Sequence, residues 1–440
     1  MDIRELRKSI SLSQFKLSRM LGVADITLSK WERNKEPLPL EMRERITEII
    51  DDLKANPKKL ESILKKKGVS SFHGQKGSRK TPPKLNKPSK KSNFTRNLES
   101  PIKALDFFSG CGGLTYGLHL AGVDVVGHCE IVSAFSDVYQ HNFPWSVNLG
   151  SDVSQIDESN LRSTINIDEI DLIVGGPPCQ GFSLAGWRDP EDERNKLFNE
   201  FVRIGNIIQP KAIILENVGL LSSLKDGNEK PYLELISEAL NENYSVSVET
   251  LDAADFGVAQ HRNRIFFVGI RKDLSHSFSF PKQTHSSKPG FQKLVTLRDA
   301  IGHLEVLESG EWGEHPLHWA VDHPAHVIEW LKATPEGKSA HENEDPKLRP
   351  PSGYNTTYKR LVYDEPGATI TTASGMISAS RTVHPINTRS LTILESSLIQ
   401  SFPTDFAFFG NWGSVRKMIG NAVPPLLGKA IGASIIEAII

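Results

Sequence analysis

Cysteine is scarce: the 440-residue chain has three, Cys111, Cys129 and Cys179. So few, and an odd number, exclude a disulfide framework as the source of stability and point to a reducing compartment, the cytoplasm. At least one thiol is left free for chemistry. Long apolar runs are missing too. No stretch reaches the roughly 20 apolar residues of a bilayer-spanning helix. Met1 to Ser11 carries Arg4, Arg7 and Lys8 without the apolar centre of a signal peptide, so no membrane partner is expected. Metal-ligand spacing is also wanting: His315, His318, His323 and His326 come with Glu314 and Asp322 but no nearby cysteine, and no metal site is expected. A net charge is almost absent, at −1, yet residues 1–100 hold 24 basic against 12 acidic side chains and the remainder 28 against 41. A basic arm suits a polyanion such as nucleic acid and suits a solvated linker equally well, so charge alone leaves the partner open.

Residues 1–64 read as a helical domain. Ile3, Leu6, Ile10, Leu12, Leu17, Met20, Leu21, Val23, Ile26, Leu28 and Trp31 recur at helical spacing, with Gly22 as a break. One short helix opens at Leu12-Ser13-Gln14, a turn follows at Leu21-Gly22-Val23, and Thr27 to Glu32 lies on the next helix. This layout resembles the helix-turn-helix of phage-repressor-type regulators. The resemblance implies that Thr27, Ser29 and Lys30 face bases or phosphates and that Gln14 meets the DNA backbone. Residues 65–100, rich in Lys, Ser, Pro and Gly, read as a flexible basic linker. Beyond Pro101 short strand-like runs (Ala104–Phe108, Val123–Gly127, Asp171–Val174, Ala212–Leu215, Ile265–Gly269) alternate with helical patterns, which implies an α/β domain with a mostly parallel sheet over 101–271 and 386–440. Between them, 272–385 has no clear period and reads as a separate irregular domain. Leu426 to Ile440 reads as a helix that packs back on the sheet.

Three segments carry chemistry. The first strand runs into Phe108-Ser109-Gly110-Cys111-Gly112-Gly113-Leu114, glycines that let a ligand approach a helix N-terminus. Thr115 stands where the dinucleotide fingerprint wants its third glycine, so a different nucleotide-bearing cofactor is expected. Glu130 lies where ribose hydroxyls are taken, and Asp152 could accept from an adenine amino group. The second segment, Gly175-Gly176-Pro177-Pro178-Cys179-Gln180, presents a cysteine on a stiff loop where packing alone would not place one. The third joins Glu216-Asn217-Val218 at a strand end with Gln260-His261-Arg262-Asn263-Arg264 before another. A thiolate, a carboxylic acid and two guanidiniums suit chemistry at carbon 5 of cytosine. Addition of Cys179 at carbon 6 activates that carbon, and a glutamic acid with raised pKa, Glu216, donates toward nitrogen 3. The base must leave the duplex stack to be reached.

In order along residues 103–440, Asp106–Gly113, Glu130, Asp152, Pro177-Pro178-Cys179-Gln180, Arg194–Phe198, Glu216-Asn217-Val218, Gln260-x-Arg262-x-Arg264, Arg389-x-Leu391-Thr392, Gln400-Ser401-Phe402-Pro403 and Gly420-Asn421-Ala422-Val423-Pro424-Pro425 resemble the motifs of the DNA (cytosine-5) methyltransferases of type II restriction–modification systems. The resemblance implies a Rossmann-like S-adenosylmethionine-dependent domain and a target-recognition domain at 272–385. It implies a cofactor pocket lined by Phe108, Gly110, Gly112, Leu114, Glu130, Ile131, Asp152, Phe198, Asn421 and Val423. Cys179, Glu216, Arg262 and Arg264 would be the catalytic set, with Gln260 toward DNA. It further implies protection of double-stranded DNA, a cognate restriction endonuclease as a genetic partner, and repression at an operator through the helix-turn-helix. The alternative is a transcription regulator with secondary methyltransferase activity. A basic cluster of Lys347, Arg349, Lys359 and Arg360 is expected to face phosphates.

Overall fold

The computed structural model describes residues 3–10, 12, 17, 20–21, 23, 28, 31–32, 37–60, 84–90, 92–178, 197–225 and 230–440. Two units, each discontinuous in sequence, divide the chain.

The first unit takes Met1–Pro83, Gly302–Tyr363 and Ser374–Thr392. Its N-terminal part contains helices α1 (Ile3–Lys8) and α2 (Leu40–Ala55). Periodic apolar residues meet there: Leu12, Leu17, Leu21 and Leu28 are buried in one cluster with Ile46, Ile50 and Leu53 of α2. Arg7 is buried with them. Its Nε pairs with Glu32 Oε1 at 2.7 Å and its Nη1 donates to Leu12 O at 2.6 Å, so losing Glu32 would strand a buried charge. Gln14, Thr27, Ser29 and Lys30 lie outside the described residues. The segments 302–363 and 374–392 hold a helix at Ala325–Ala333, short 3-10 turns and isolated bridges. Irregular backbone leaves carbonyls without ladder partners, and the forked donors of an arginine can take them up. Arg360 does this: buried, it donates to Leu331 O (2.6 Å), Thr334 O (3.1 Å), His384 O (2.9 Å) and Asn387 O (2.9 Å). That corrects its expected place among phosphate-facing residues, whereas Lys347 and Arg349 are exposed. His318 is likewise buried, bonded to Thr392 Oγ1 and Glu305 O at 3.0 and 2.8 Å.

The second unit takes Lys84–Ile301, Asp364–Ala373 and Ile393–Ile440. In chain order it contains β1 (Lys103–Phe107), α3 (Gly113–Ala121), β2 (Asp124–Cys129), α4 (Ser133–Asn142), β3 (Val147–Asn148), α5 (Glu158–Thr164), β4 (Leu172–Gly175) and α6 (Leu197–Ile208). Then come β5 (Ala212–Val218), α7 (Tyr232–Asn241), β6 (Tyr244–Asp252), β7 (Asn263–Arg271), α8 (Leu297–Ile301), α9 (Ile393–Ile399), α10 (Trp412–Asn421) and α11 (Pro425–Ile439). Among the described residues the strands make one sheet in the order β3-β2-β1-β4-β5-β7-β6. β1 to β5 pair in parallel, and β7 is antiparallel to both β5 and β6. β6 is an element the sequence reading lacked.

Strand residues alternate between two cores, as the two-residue repeat of a pleated strand requires. Ala104, Leu172, Val174, Ala212, Ile214, Phe266 and Val268 face α3 and α11. Leu105, Phe107, Ile173, Ile213, Leu215, Ile265 and Phe267 face α5, α6 and α7. The stretch Trp412–Ile439 is, by length and composition, apolar enough to cross a membrane, against the expectation that no stretch would be. In the fold Ala422 is extended (φ −58°, ψ 143°), which separates α10 from α11, and Leu427, Ile431 and Ile435 of α11 are buried on the sheet.

Strand order reverses between β1 and β4, and the crevice beyond the carboxyl ends of strands at such a switch point is where open α/β sheets take ligands. Phe107 pairs with Gly175, and Gly175 with Leu215. The residues that follow, Phe108, Gly176 and Glu216, therefore lie side by side, the first two leaving the sheet and Glu216 still on β5 opposite Phe266.

Candidate active site

The first loop is a tight turn. Phe108 (φ 57°), Gly110 (φ 57°) and Gly112 (φ 95°) take left-handed backbone; for a phenylalanine that is strained, as often happens where a loop is shaped for a ligand. Gly112 has no room for a side chain, since a Cβ there would lie 2.4 Å from Phe143 Cε2. Above Gly110 the space is open. Glu130, buried at the end of β2, accepts the Gly110 N–H through Oε2 and the Val132 N–H through Oε1, both at 2.8 Å. Those bonds fix the carboxylate and leave it about two further acceptor positions. Burial raises its pKa against these two bonds. Next to it Ile131 is 68 % exposed. Asp152 is half-buried and uses Oδ1 to accept from Ser154 N and Oγ at 3.0 and 2.8 Å.

Thr115, read from sequence as a departure from the dinucleotide fingerprint, has a job of its own. Its hydroxyl donates to Asp106 Oδ2 at 2.6 Å and lies 3.0 Å from Tyr139 Oη. Leu114 and Val423 are buried in the first core, Phe108 and Phe198 pack on the second, and Asn421 is exposed at the end of α10.

At the second loop, Asn217 Nδ2 donates to Pro177 O at 3.1 Å, which ties the two-proline segment to β5. At Gly176 a Cβ would lie 2.9 Å from Glu216 Oε2, so a side chain there would push on that carboxylate. Cys179 lies outside the described residues, directly after Pro178. Glu216 is buried and its Oε1 is 2.8 Å from Arg264 Nε. Burial raises its pKa, and the positive charges of Arg264 and Arg262 oppose the rise. Burial pushes the thiols of Cys111 and Cys129 up to about 12, which leaves both protonated and unreactive.

Two residues sit differently from the sequence expectation. Gln260, expected to reach DNA, is fully buried. Its amide donates to Gln400 Oε1 (2.8 Å) and Ile399 O (3.2 Å) and accepts from Ile370 N (3.0 Å), so it locks loops together. Arg262, also buried, donates to Ile370 O (2.8 Å) and Gly420 O (2.7 Å), while its Nε has no hydrogen-bond partner among the described residues. Of the two arginines, only Arg264 meets the Glu216 carboxylate in an ion pair among the described residues. Both misplacements share a cause: a polar side chain in a motif gives no sign in sequence of being buried.

The chain matches the family of C-5 cytosine-specific DNA methylases over residues 102–437. It is 36 % identical over 337 residues to the type II methyltransferase M1.HphI of Haemophilus parahaemolyticus, covering 76 % of this chain and 86 % of that one. It is 32 % identical over 373 residues to the type II methyltransferase M.DdeI of Desulfomicrobium norvegicum, covering 76 % and 88 %. Its fold is similar to that of a protein described as a DNA modification methyltransferase encoded within an Escherichia coli prophage (TM-score 0.60, 22 % identity, 77 % of this chain and 99 % of that one). It is also similar to Entamoeba histolytica methyltransferase EhMeth (TM-score 0.53, 15 % identity, 76 % and 98 %).

The protein is therefore an α/β methyltransferase, and it belongs to the C-5 cytosine-specific DNA methylase family. Its cosubstrate is S-adenosylmethionine, and its enzyme class is DNA (cytosine-5-)-methyltransferase. The first loop fits that group: open space over Gly110, an anchored carboxylate with acceptor capacity left, and an exposed isoleucine beside it offer a place for a ribose and an adenine.

Proposed function

We propose that this chain methylates a flipped-out cytosine in double-stranded DNA through a covalent adduct on Cys179, at one specific site. The observation that carries the reading is the meeting of Glu216, buried and paired with Arg264, with the Gly176–Pro178 segment that leads into Cys179. Of the three thiols, the other two are held protonated by burial.

In this reading the Cys179 thiolate adds to carbon 6 of the ring. The displaced electron pair moves toward nitrogen 3, where Glu216 donates its proton; burial raises the pKa of this carboxyl group, which favours the protonated form that the step needs. Arg264 orients the carboxyl group. When bound, S-adenosylmethionine supplies the methyl group from its sulfonium centre to carbon 5. Loss of the proton at carbon 5 to a base then expels the thiolate and restores the aromatic ring. Phe108, Gly110, Gly112, Leu114, Glu130, Ile131, Asp152, Phe198, Asn421 and Val423 would line the cofactor pocket, and Arg262 would hold the backbone at Ile370 and Gly420 in place. The irregular stretch 272–385 would read the target.

The similarity to type II methyltransferases supports a protective role in a bacterial restriction–modification system, in the cytoplasm, with the cognate endonuclease as a genetic partner. The buried apolar cluster of the N-terminal helices supports a helix-turn-helix that binds an operator.

The test is methyl transfer from radiolabelled S-adenosylmethionine to mixed-sequence duplex DNA. Cys179→Ser should abolish transfer, Glu216→Gln should lower kcat by about 100-fold or more, and deletion of residues 1–70 should leave transfer intact while removing operator binding. No transfer by the wild type, with specific duplex binding retained, would contradict the reading and favour a regulator.

A further inference from the structure

The family match begins at residue 102, yet residues before it are folded onto the outside of α3. Gly410 N donates to Leu85 O at 2.8 Å. Phe94 enters an aromatic group, with ring centroids 4.9 Å from Tyr116, 6.1 Å from Phe143 and 6.0 Å from Phe406. Arg96 grips the buried Asp124 at the start of β2, Nε at 3.1 and 3.0 Å from its two oxygens and Nη2 at 2.9 Å. Asn97 Nδ2 donates to His119 O (2.9 Å) and Val123 O (3.1 Å), so it helps satisfy a carbonyl in the last turn of α3.

These contacts reach the glycine loop in one step. Phe143, on which Phe94 lies, is the ring that fills the space over Gly112. Tyr116, on the first turn of α3, has its N–H bonded to Gly112 O at 2.8 Å. Holding these two rings holds the loop from behind, while Asn97 holds the far end of the same helix and Arg96 the start of β2 just beyond it.

We propose that residues 94–97 form a positioning strap for the cofactor loop, so that affinity for S-adenosylmethionine depends on a segment outside the matched domain. The proposal rests on the reading of the glycine loop as the cofactor site. In the full chain, Phe94→Ala should raise the dissociation constant for S-adenosylhomocysteine, measured by calorimetry without DNA, by about tenfold, as expected for the loss of stacked aromatic pairs. KM for S-adenosylmethionine should rise in parallel while kcat at saturating cofactor stays within about twofold, a split that separates loop positioning from general destabilisation. Amide exchange over residues 109–118 should quicken in the ligand-free protein, and Phe94→Tyr should restore all three. Arg96→Gln should move the same readouts in the same direction and decides the matter should Phe94→Ala fail to fold. Unchanged affinity and KM in the folded variants would overturn the strap, whatever happens to the melting temperature. Failure of the wild type to bind S-adenosylhomocysteine would instead overturn the site on which the strap is argued.

Discussion

Asp106 and His128 face each other across β1 and β2, and burial moves their titrations in opposite directions. The Asp106 carboxyl is pushed up to about 7 by burial, against the Thr115 hydrogen bond. His128 is pushed down to about 4 by burial, against a backbone hydrogen bond. An acid with a raised pKa in the fold holds more protons folded than unfolded, so Asp106 costs stability as pH rises from about 4 to 7. A histidine with a lowered pKa holds fewer, so His128 costs stability as pH falls from about 6.5 to 4. Each effect is on the order of 3 kcal/mol, and in the wild type they oppose one another. Urea midpoints across this range are therefore compared between each variant and the wild type, because Glu130 and Glu216, also raised by burial, add a slope common to all three proteins. Asp106→Asn should gain stability relative to the wild type as pH rises, and His128→Asn as pH falls, apart from a constant offset for lost stacking on Tyr139. Parallel pH curves for all three proteins would contradict the assignment.

The same scale shows what sequence could and could not tell. Residue type and order pointed to Glu216, Arg264 and Glu130, because each falls at a strand end and the chemistry demands its functional group. Sequence gave no warning that Gln260, Arg262 and Arg360 are buried, since the carbonyls they satisfy come from segments 20 to 160 residues away, such as Gly420 for Arg262 and Leu331 for Arg360. The network of Asp106, Thr115 and Tyr139 joins β1, α3 and α4, and only the packing of these elements brings its members together.

Among elements, α3 and α11 pack closely through glycines. A Cβ on Gly117 would lie 2.5 Å from Pro425 O and 2.7 Å from Gly428 Cα, and one on Gly113 would lie 2.6 Å from Val423 O. Both obstacles include backbone, which cannot swing aside. Alanine in place of a helical glycine gains up to about 1 kcal/mol in propensity, but overpacking here costs about 1–3 kcal/mol. Gly117→Ala should therefore lower stability in chemical denaturation, and a net gain would show that α11 can back away from α3. The strands of the core were legible from apolar runs because a parallel sheet covered on both faces needs them. β6 was missed although Tyr244, Val246 and Val248 alternate with polar residues, the pattern of a strand with one face exposed. Its place at the sheet edge, paired only to β7, explains that mixed pattern.

For the molecule as a whole, the sequence set the stretch 272–385 apart because strand-and-helix periodicity stops after Lys272, while the second unit keeps residues up to Ile301 and Asp364–Ala373. The segments that follow hold together through short helices, the small cluster of Val327, Leu331, Ile377 and Val383, and the carbonyls gathered by Arg360. Such a body has no repeating pattern to read. The central claim concerns the reaction: Cys179 joins covalently to the cytosine ring while Glu216 supports the opened intermediate. A cytosine bearing fluorine at carbon 5 tests this directly, because after methylation there is no proton at that carbon to remove and the thiolate cannot be expelled. Incubated with S-adenosylmethionine and duplex DNA substituted throughout with 5-fluorocytosine, the wild type should form an adduct that survives denaturation. Mass spectrometry should place the adduct on the peptide containing Cys179, and Cys179→Ser should form none. Methyl transfer to ordinary DNA without any such adduct, or an adduct that persists in Cys179→Ser, would contradict the account.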